Sequence, residues 1–202
     1  CINWASEAEL NYASVFKTVF TNLTPISNVE SSEEIINGMD GNEIKIYIHR
    51  PTNIKGKIPC LVHMHGGGMV ILKAKDPNYE RWRQELAARG VLVIGVEFRN
   101  AGGALGCHPF PAGLNDCASA TRWAFKNRNK LRVSSIIVSG ESGGGNLCLA
   151  TALKASKENW INEISGVYAQ CPYISGLYAD PPLNLPSLKE NDDYFISNAT
   201  SA

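Results

Sequence analysis

The stretch that most limits how this chain can fold is Gly140-Glu141-Ser142-Gly143-Gly144-Gly145. Before it runs Ile136-Ile137-Val138, apolar and β-branched, which reads as a buried strand. After it, Leu147, Ala150 and Leu153 recur at helical spacing. A serine between strand and helix, with glycine two residues before and two after, fits the G-x-S-x-G turn. The turn is tight enough to strain the serine backbone, and a side chain at Gly140 or Gly144 would strike neighbouring backbone. The strain lifts the Ser142 hydroxyl clear of the sheet. The helix that follows aims its first N–H groups at the same spot, where negative charge is welcome. Taken alone, the motif fits equally well a glycine-rich loop with no chemical role.

A second stretch adds to it. Cys60-Leu61-Val62-His63-Met64-His65 reads as a strand running straight into Gly66-Gly67-Gly68-Met69. An H-G-G-G loop supplies backbone donors to the oxyanion hole of ester hydrolases. The N–H groups of Gly67 and Gly68, joined by that of Gly143, form such a set, with His65, Gly66, Gly140, Glu141 and Gly144 in support. In other hydrolases one such donor is worth about 3–4 kcal/mol to the transition state. Strand, glycine loop, later strand, serine turn and helix follow in the order that an α/β-hydrolase fold needs.

A length of 202 residues favours one domain, with room for an appended subdomain. The formal net charge is zero, so nothing electrostatic argues for nucleic acid or an anionic membrane. No apolar run approaches the roughly 20 residues of a membrane span. The six cysteines are scattered and form no C-x-x-C pair, and several fall in expected core segments. Reduced thiols are the expectation, and with them a cytoplasmic protein. Cys1 rather than methionine opens the chain, which leaves a removed signal peptide open. The sequons at Asn22 and Asn198 matter only in a secreted protein.

In chain order, residues 1–24 read as a helix, with Ser6-Glu7-Ala8-Glu9 as a capping box. Val15, Phe16, Val19, Phe20 and Leu23 form its apolar face, and Pro25 stops it. It reads equally as an extra core layer or as a lid. Residues 33–50 form a hairpin around Asp40-Gly41. Asp76-Pro77 opens a helix running to about Arg89 and ended by Gly90. Val91–Val96 is continuously apolar, as a strand covered on both faces should be. A helix over 112–128 precedes the strand at 136–139. The post-serine helix covers 145–157, and a last strand lies near 164–171. Alternating strands and helices predict an α/β architecture, a mostly parallel sheet flanked by helices.

Other features have plainer readings. His63 and His65 share one face of a strand, but glycines follow them rather than further ligands, so no metal is expected. His49 and His108 read as structural. Lys126, Arg128, Lys130 and Arg132 suit a helix C-terminus facing solvent. Neither phosphate-loop pattern is complete, and no cofactor is implied. Glu141 and Asp116 read as supporting or structural carboxylates.

With both motifs placed, the sequence resembles the hormone-sensitive lipase family of α/β hydrolases. The resemblance runs from about residue 60 onwards. It rests on His65-Gly66-Gly67-Gly68-Met69, Phe98-Arg99-Asn100-Ala101, His108-Pro109-Phe110-Pro111, Gly140 to Asn146, Pro172-Tyr173-Ile174-Ser175-Gly176 and Leu185-Pro186-Ser187-Leu188. The commoner family pattern has Asp before the serine and Ala after it, where this chain has Glu141 and Gly143. The resemblance implies a carboxylic-ester hydrolase for small or medium esters, with Ser142 as nucleophile and Gly67, Gly68 and Gly143 as oxyanion donors. It implies a helical cap segment at 1–30, the α/β-hydrolase core at 31–171, and the start of a second cap segment at 172–202.

One part is missing. In this fold the triad runs Ser, then Asp or Glu, then His. All four histidines (49, 63, 65 and 108) precede Ser142. The expectation is therefore a front portion, incomplete at the C-terminus, of a longer protein whose later segment carries the acid and the base. A chain ending here would leave an apolar sheet edge open. The rivals are an amidase or acyltransferase using the same acyl-enzyme, and a non-catalytic ligand-binding protein on the same scaffold. The expected partner is a small-molecule ester, and a homodimer is left open.

Overall fold

Leu92-Val93-Ile94-Gly95-Val96 is buried at every residue and sits inside a six-stranded sheet. The computed structural model describes residues 2–20, 22–174 and 186–191. The strands are β1 (Val29–Asn37), β2 (Glu43–Pro51), β3 (Ile58–Met64), β4 (Leu92–Val96), β5 (Val133–Glu141) and β6 (Gly166–Gln170). Their spatial order is β1-β2-β4-β3-β5-β6. β1 and β2 form the hairpin expected from Asp40-Gly41, and β2 joins β4 antiparallel. The pairs β3–β4, β3–β5 and β5–β6 are parallel, so the sheet is mostly parallel as its alternating pattern predicts.

The helices are α1 (Ile2–Phe20), α2 (Pro77–Ala87), α3 (Ala112–Lys126), α4 (Gly143–Lys157) and α5 (Pro186–Glu190). One face of the sheet is the apolar core. Ile46, Val62, Met64, Ile94, Val96 and Val138 meet Cys117, Ala120 and Ala124 of α3 and Leu147 and Cys148 of α4 there. Small residues on the two helices let them lie close to the strands. The opposite face meets α2, whose buried residues Tyr79, Arg83 and Ala87 repeat every four positions. The chain divides into two units, 1–172 and 173–202. In the second unit α5 is described, with Asn191 N–H donating to the Ser187 carbonyl at 3.1 Å. Most of the segment expected to begin a second cap, the Asn198 sequon and Cys1 lie outside the described residues.

Several expectations need correction. Ser6 caps nothing, because α1 already runs from Ile2. Glu9, read as the far half of that box, reaches out instead. Its Oε1 accepts the Leu72 N–H at 2.9 Å and its Oε2 the Ala104 N–H at 2.7 Å. The inward face of α1 is Ala5, Ala8, Tyr12 and Phe16, packed with Ile71, Leu72 and Tyr79. Val15 and Val19, expected on that face, are 56% and 57% exposed. Likewise Leu153 of α4 is 57% exposed, and the helix buries Cys148, Thr151 and Ala155 instead. α4 starts two residues before the expected 145, and β5 starts at Val133 rather than 136.

Candidate active site

The turn after β5 places Ser142 at φ 53°, ψ −119°. A non-glycine residue there is strained by steric overlap, on the order of 1–3 kcal/mol. Surrounding bonds hold it. Ser142 N–H donates to the Gln170 carbonyl at the end of β6, at 3.0 Å. The Ser142 carbonyl accepts the Asn146 N–H, also at 3.0 Å, and so starts α4. Ser142 itself is half-buried.

Gly144 permits this geometry. A Cβ there would run into the Met64 and His65 carbonyls at the end of β3. The first turn of α4 is thereby seated against the strand that leads into the glycine loop. That loop follows as Gly66-Gly67-Gly68. Gly67 has φ 97°, and an added Cβ would meet the Ile71 carbonyl. That carbonyl sits inside a turn in which Gly67 C=O accepts the N–H groups of Val70 and Ile71 at 3.0 and 3.1 Å. Loop and turn meet at Gly143, whose ideal Cβ position lies 2.8 Å from Gly68 Cα. The Gly67–Gly68 loop is thus brought against Gly143, the residue that follows Ser142. The N–H groups of Gly67, Gly68 and Gly143 donate to no acceptor among the described residues.

The loop is fastened from several directions. Ala101 N–H donates to Met69 C=O at 2.8 Å, Gly102 N–H to Val70 C=O at 3.1 Å, and Asn100 Nδ2 to Leu72 C=O at 2.8 Å. His65 is fully buried, stacks on Phe98 with centroids 4.2 Å apart, and bonds the Gly66 carbonyl through Nδ1 at 2.7 Å. Burial pushes its pKa down to about 3, so the ring is neutral and Nδ1 carries the donated hydrogen. Glu141 is bonded at both carboxylate oxygens. Oε1 accepts the Gly66 N–H and Oε2 faces His63 Nε2, each at 3.0 Å. Burial opposes the charge on Glu141, but the hydrogen bonds from His63 and from the Gly66 N–H together hold its pKa below the ordinary carboxylate value.

Gly140 stands at the end of β5, paired with Met64. Glu9, Asn100 and the His63–Glu141 link escape a reading by motif, as does Glu97, which accepts from the Ala74 N–H at 2.7 Å and the Tyr47 hydroxyl at 3.0 Å: each bonds across the chain to a distant backbone group or side chain. Asn100 alone carried a hint, inside Phe98-Arg99-Asn100-Ala101. Asp116 is structural as expected: it accepts from Arg99 N, Nε and Nη2, each at 2.9 Å. No histidine hydrogen-bonds Ser142 among the described residues. His49 bonds Ser31, while His63 and His65 are engaged as above. Among the described residues no group of three or more His, Cys, Asp or Glu side chains could hold a metal ion. No described helix is long and apolar enough to cross a membrane.

Comparison with known proteins agrees with this architecture. Residues 61–202 match the family model described as the alpha/beta hydrolase fold. The carboxylesterase NlhH of Mycobacterium tuberculosis (strain CDC 1551 / Oshkosh) is 32% identical over 168 residues, 80% of this chain and 48% of its own length. The chloroplastic tuliposide A-converting enzyme 2 of Tulipa gesneriana is 29% identical over 160 residues, 73% of this chain and 40% of its own length. This chain therefore spans less than half of either relative. Among solved structures, brefeldin A esterase, described as a bacterial homologue of human hormone-sensitive lipase, superposes with a TM-score of 0.87 at 42% identity. That match covers 100% of this chain and 58% of the esterase. The chain belongs to the α/β-hydrolase fold family, in the branch that includes hormone-sensitive lipase and brefeldin A esterase.

Proposed function

We propose that this chain is the front portion of a serine carboxylesterase acting on small or medium carboxylic esters. The observation that carries the reading is the strained Ser142 seated beside the glycine loop, with Gly143 against Gly68. Ser142 Oγ attacks the ester carbonyl. The N–H groups of Gly67, Gly68 and Gly143 receive the charge that develops on the carbonyl oxygen. In this reading backbone donors fixed before the substrate arrives need little reorganisation during the reaction. The alcohol leaves with a proton, and water then releases the acid from the acyl-enzyme. His65 and Glu141 hold Gly66 from its two sides, while Gly140 and Gly144 leave room for the turn.

The proton must go to a base, and the four histidines of the sequence all precede Ser142. A further segment carrying an Asp or Glu and a later His completes the triad in this reading. Two facts support it. The chain covers 58% of brefeldin A esterase. β6 also leaves Val167 and Tyr168 41% and 54% exposed. α1 serves as a cap segment, tied down by Glu9 and by the edge-on contact of Phe16 with Tyr79.

The test is turnover of p-nitrophenyl acetate by the intact protein and by Ser142→Ala. The proposal expects a drop in kcat of at least about 10³-fold. Equal turnover by both proteins contradicts it. Binding of esters without turnover favours the non-catalytic alternative, and faster cleavage of anilides than of esters favours an amidase.

A further inference from the structure

Beneath the glycine loop lies a polar row that the proposed chemistry leaves unused. The strand register sets Tyr47 beside Gly95, Gly95 beside His63, and His63 beside Ser139. These four residues line one row across the sheet, on the face that α2 covers. α2 lays Arg83 over Gly95, where an added Cβ would meet the guanidinium at 2.7 Å. Arg83 is fully buried and faces the Tyr47 ring at 5.7 Å. A cation thus sits in the sheet face next to His63. The His63 ring is 1% exposed and packed 4.6 Å from the Trp82 ring and 6.0 Å from that of Tyr79.

These surroundings settle which way the His63 hydrogen points. Burial disfavours the charged ring, so His63 is neutral and carries one N–H. The carboxylate of Glu141 lies 3.0 Å from Nε2 and is acceptor-only, so Nε2 carries that hydrogen. Nδ1 is left as a buried bare acceptor with no hydrogen-bond partner among the described residues. His63 therefore holds one oxygen of Glu141 and leaves the other for the Gly66 N–H. The next two residues, Gly67 and Gly68, have φ 97° and 64°. Glycine backbone of that kind turns easily unless something outside it sets the plane of the first peptide group.

We infer that His63 is a positioning residue of the proposed acyl-transfer reaction. Through Glu141 it sets the plane of the Gly66 peptide group, and so the direction of the Gly67 and Gly68 N–H groups. This rests on the esterase reading. Substrate binding does not involve it, because His63 is buried beneath the loop. Its loss acts on the charged transition state rather than on the ground state.

The experiment compares wild type, His63→Leu and His63→Gln in the intact protein. Kinetics on p-nitrophenyl acetate are read together with the amide proton shift of Gly66. His63→Leu is expected to lower kcat about 10–100-fold with KM within about twofold, and to move the Gly66 amide upfield. His63→Gln places an amide N–H where Nε2–H stood. It is expected to recover kcat to within about fivefold of wild type, together with the Gly66 shift. A kcat unchanged in His63→Leu overturns the inference. So does equal loss in the Leu and Gln variants, or a Gly66 amide that ignores both. If wild type shows no Ser142-dependent turnover, the esterase reading and the rate effect fail together. The Gly66 amide then still decides whether the His63–Glu141 clamp exists.

Discussion

At the scale of single residues, the backbone of Ser142 is the most informative. A φ of 53° with ψ of −119° is comfortable for glycine and strained for serine. Relief of the strain, on the order of 1–3 kcal/mol, outweighs the 0.5–1 kcal/mol of chain entropy that glycine typically loses on folding. Ser142→Gly is therefore expected to be at least as stable as wild type in urea unfolding, although inactive. A loss above about 1 kcal/mol would mean that the turn is not strained. Gly144 makes the opposite case. Gly144→Ala drives a methyl group into the Met64 and His65 carbonyls and is expected to cost about 2 kcal/mol or more in the same measurement. The spacing of glycines around Ser142 made both positions legible in the sequence, since steric demand is local. The partners of Glu141 were not legible, because Gly66 and His63 lie 75 and 78 residues away.

At the scale of elements, type and order were legible and faces were less so. A continuous apolar run marks β4 because both of its faces are covered. The inward faces of α1 and α4 were misjudged for one reason. Large apolar residues of the pattern point outward, and small ones occupy the contacts: Ala5 and Ala8 of α1 pack on the Ile71–Leu72 loop and Tyr79 of α2, and α4 buries Cys148, Thr151 and Ala155. Close approach to backbone selects small side chains, and hydrophobic periodicity does not register them. Glu9 joins α1 to two separate loops through charge-assisted bonds to Leu72 and Ala104. Glu9→Ala is expected to speed hydrogen exchange at those two amides about 10–100-fold, while the amides of β4 keep their protection. Unchanged exchange at Leu72 would separate α1 from the loop.

At the scale of the whole molecule, the sheet has an apolar face under α3 and α4 and a polar one under α2. Histidines on the polar side are held neutral. Burial, then the Arg83 charge, brings His49 down to about 3, and burial brings His65 to about 3. The folded pKa thus lies below the ordinary 6.5 of the unfolded chain. Above that value neither state binds the proton. As pH falls below it, the unfolded chain takes protons that the folded one refuses, so stability declines. Each ring withdraws about 1.4 kcal/mol per pH unit between 6.5 and 3. The urea midpoint is expected to fall steadily from pH 7 to pH 5, and less so in His49→Gln. A flat profile contradicts the buried neutral rings. The central claim is that Ser142 is raised to accept an acyl group. Its most direct test is treatment of the intact protein with a fluorophosphonate, followed by mapping of the adduct by peptide mass. One adduct on the peptide containing Ser142, absent in Ser142→Ala, is the predicted result. A folded protein that stays unlabelled, or that carries the label elsewhere, contradicts the account.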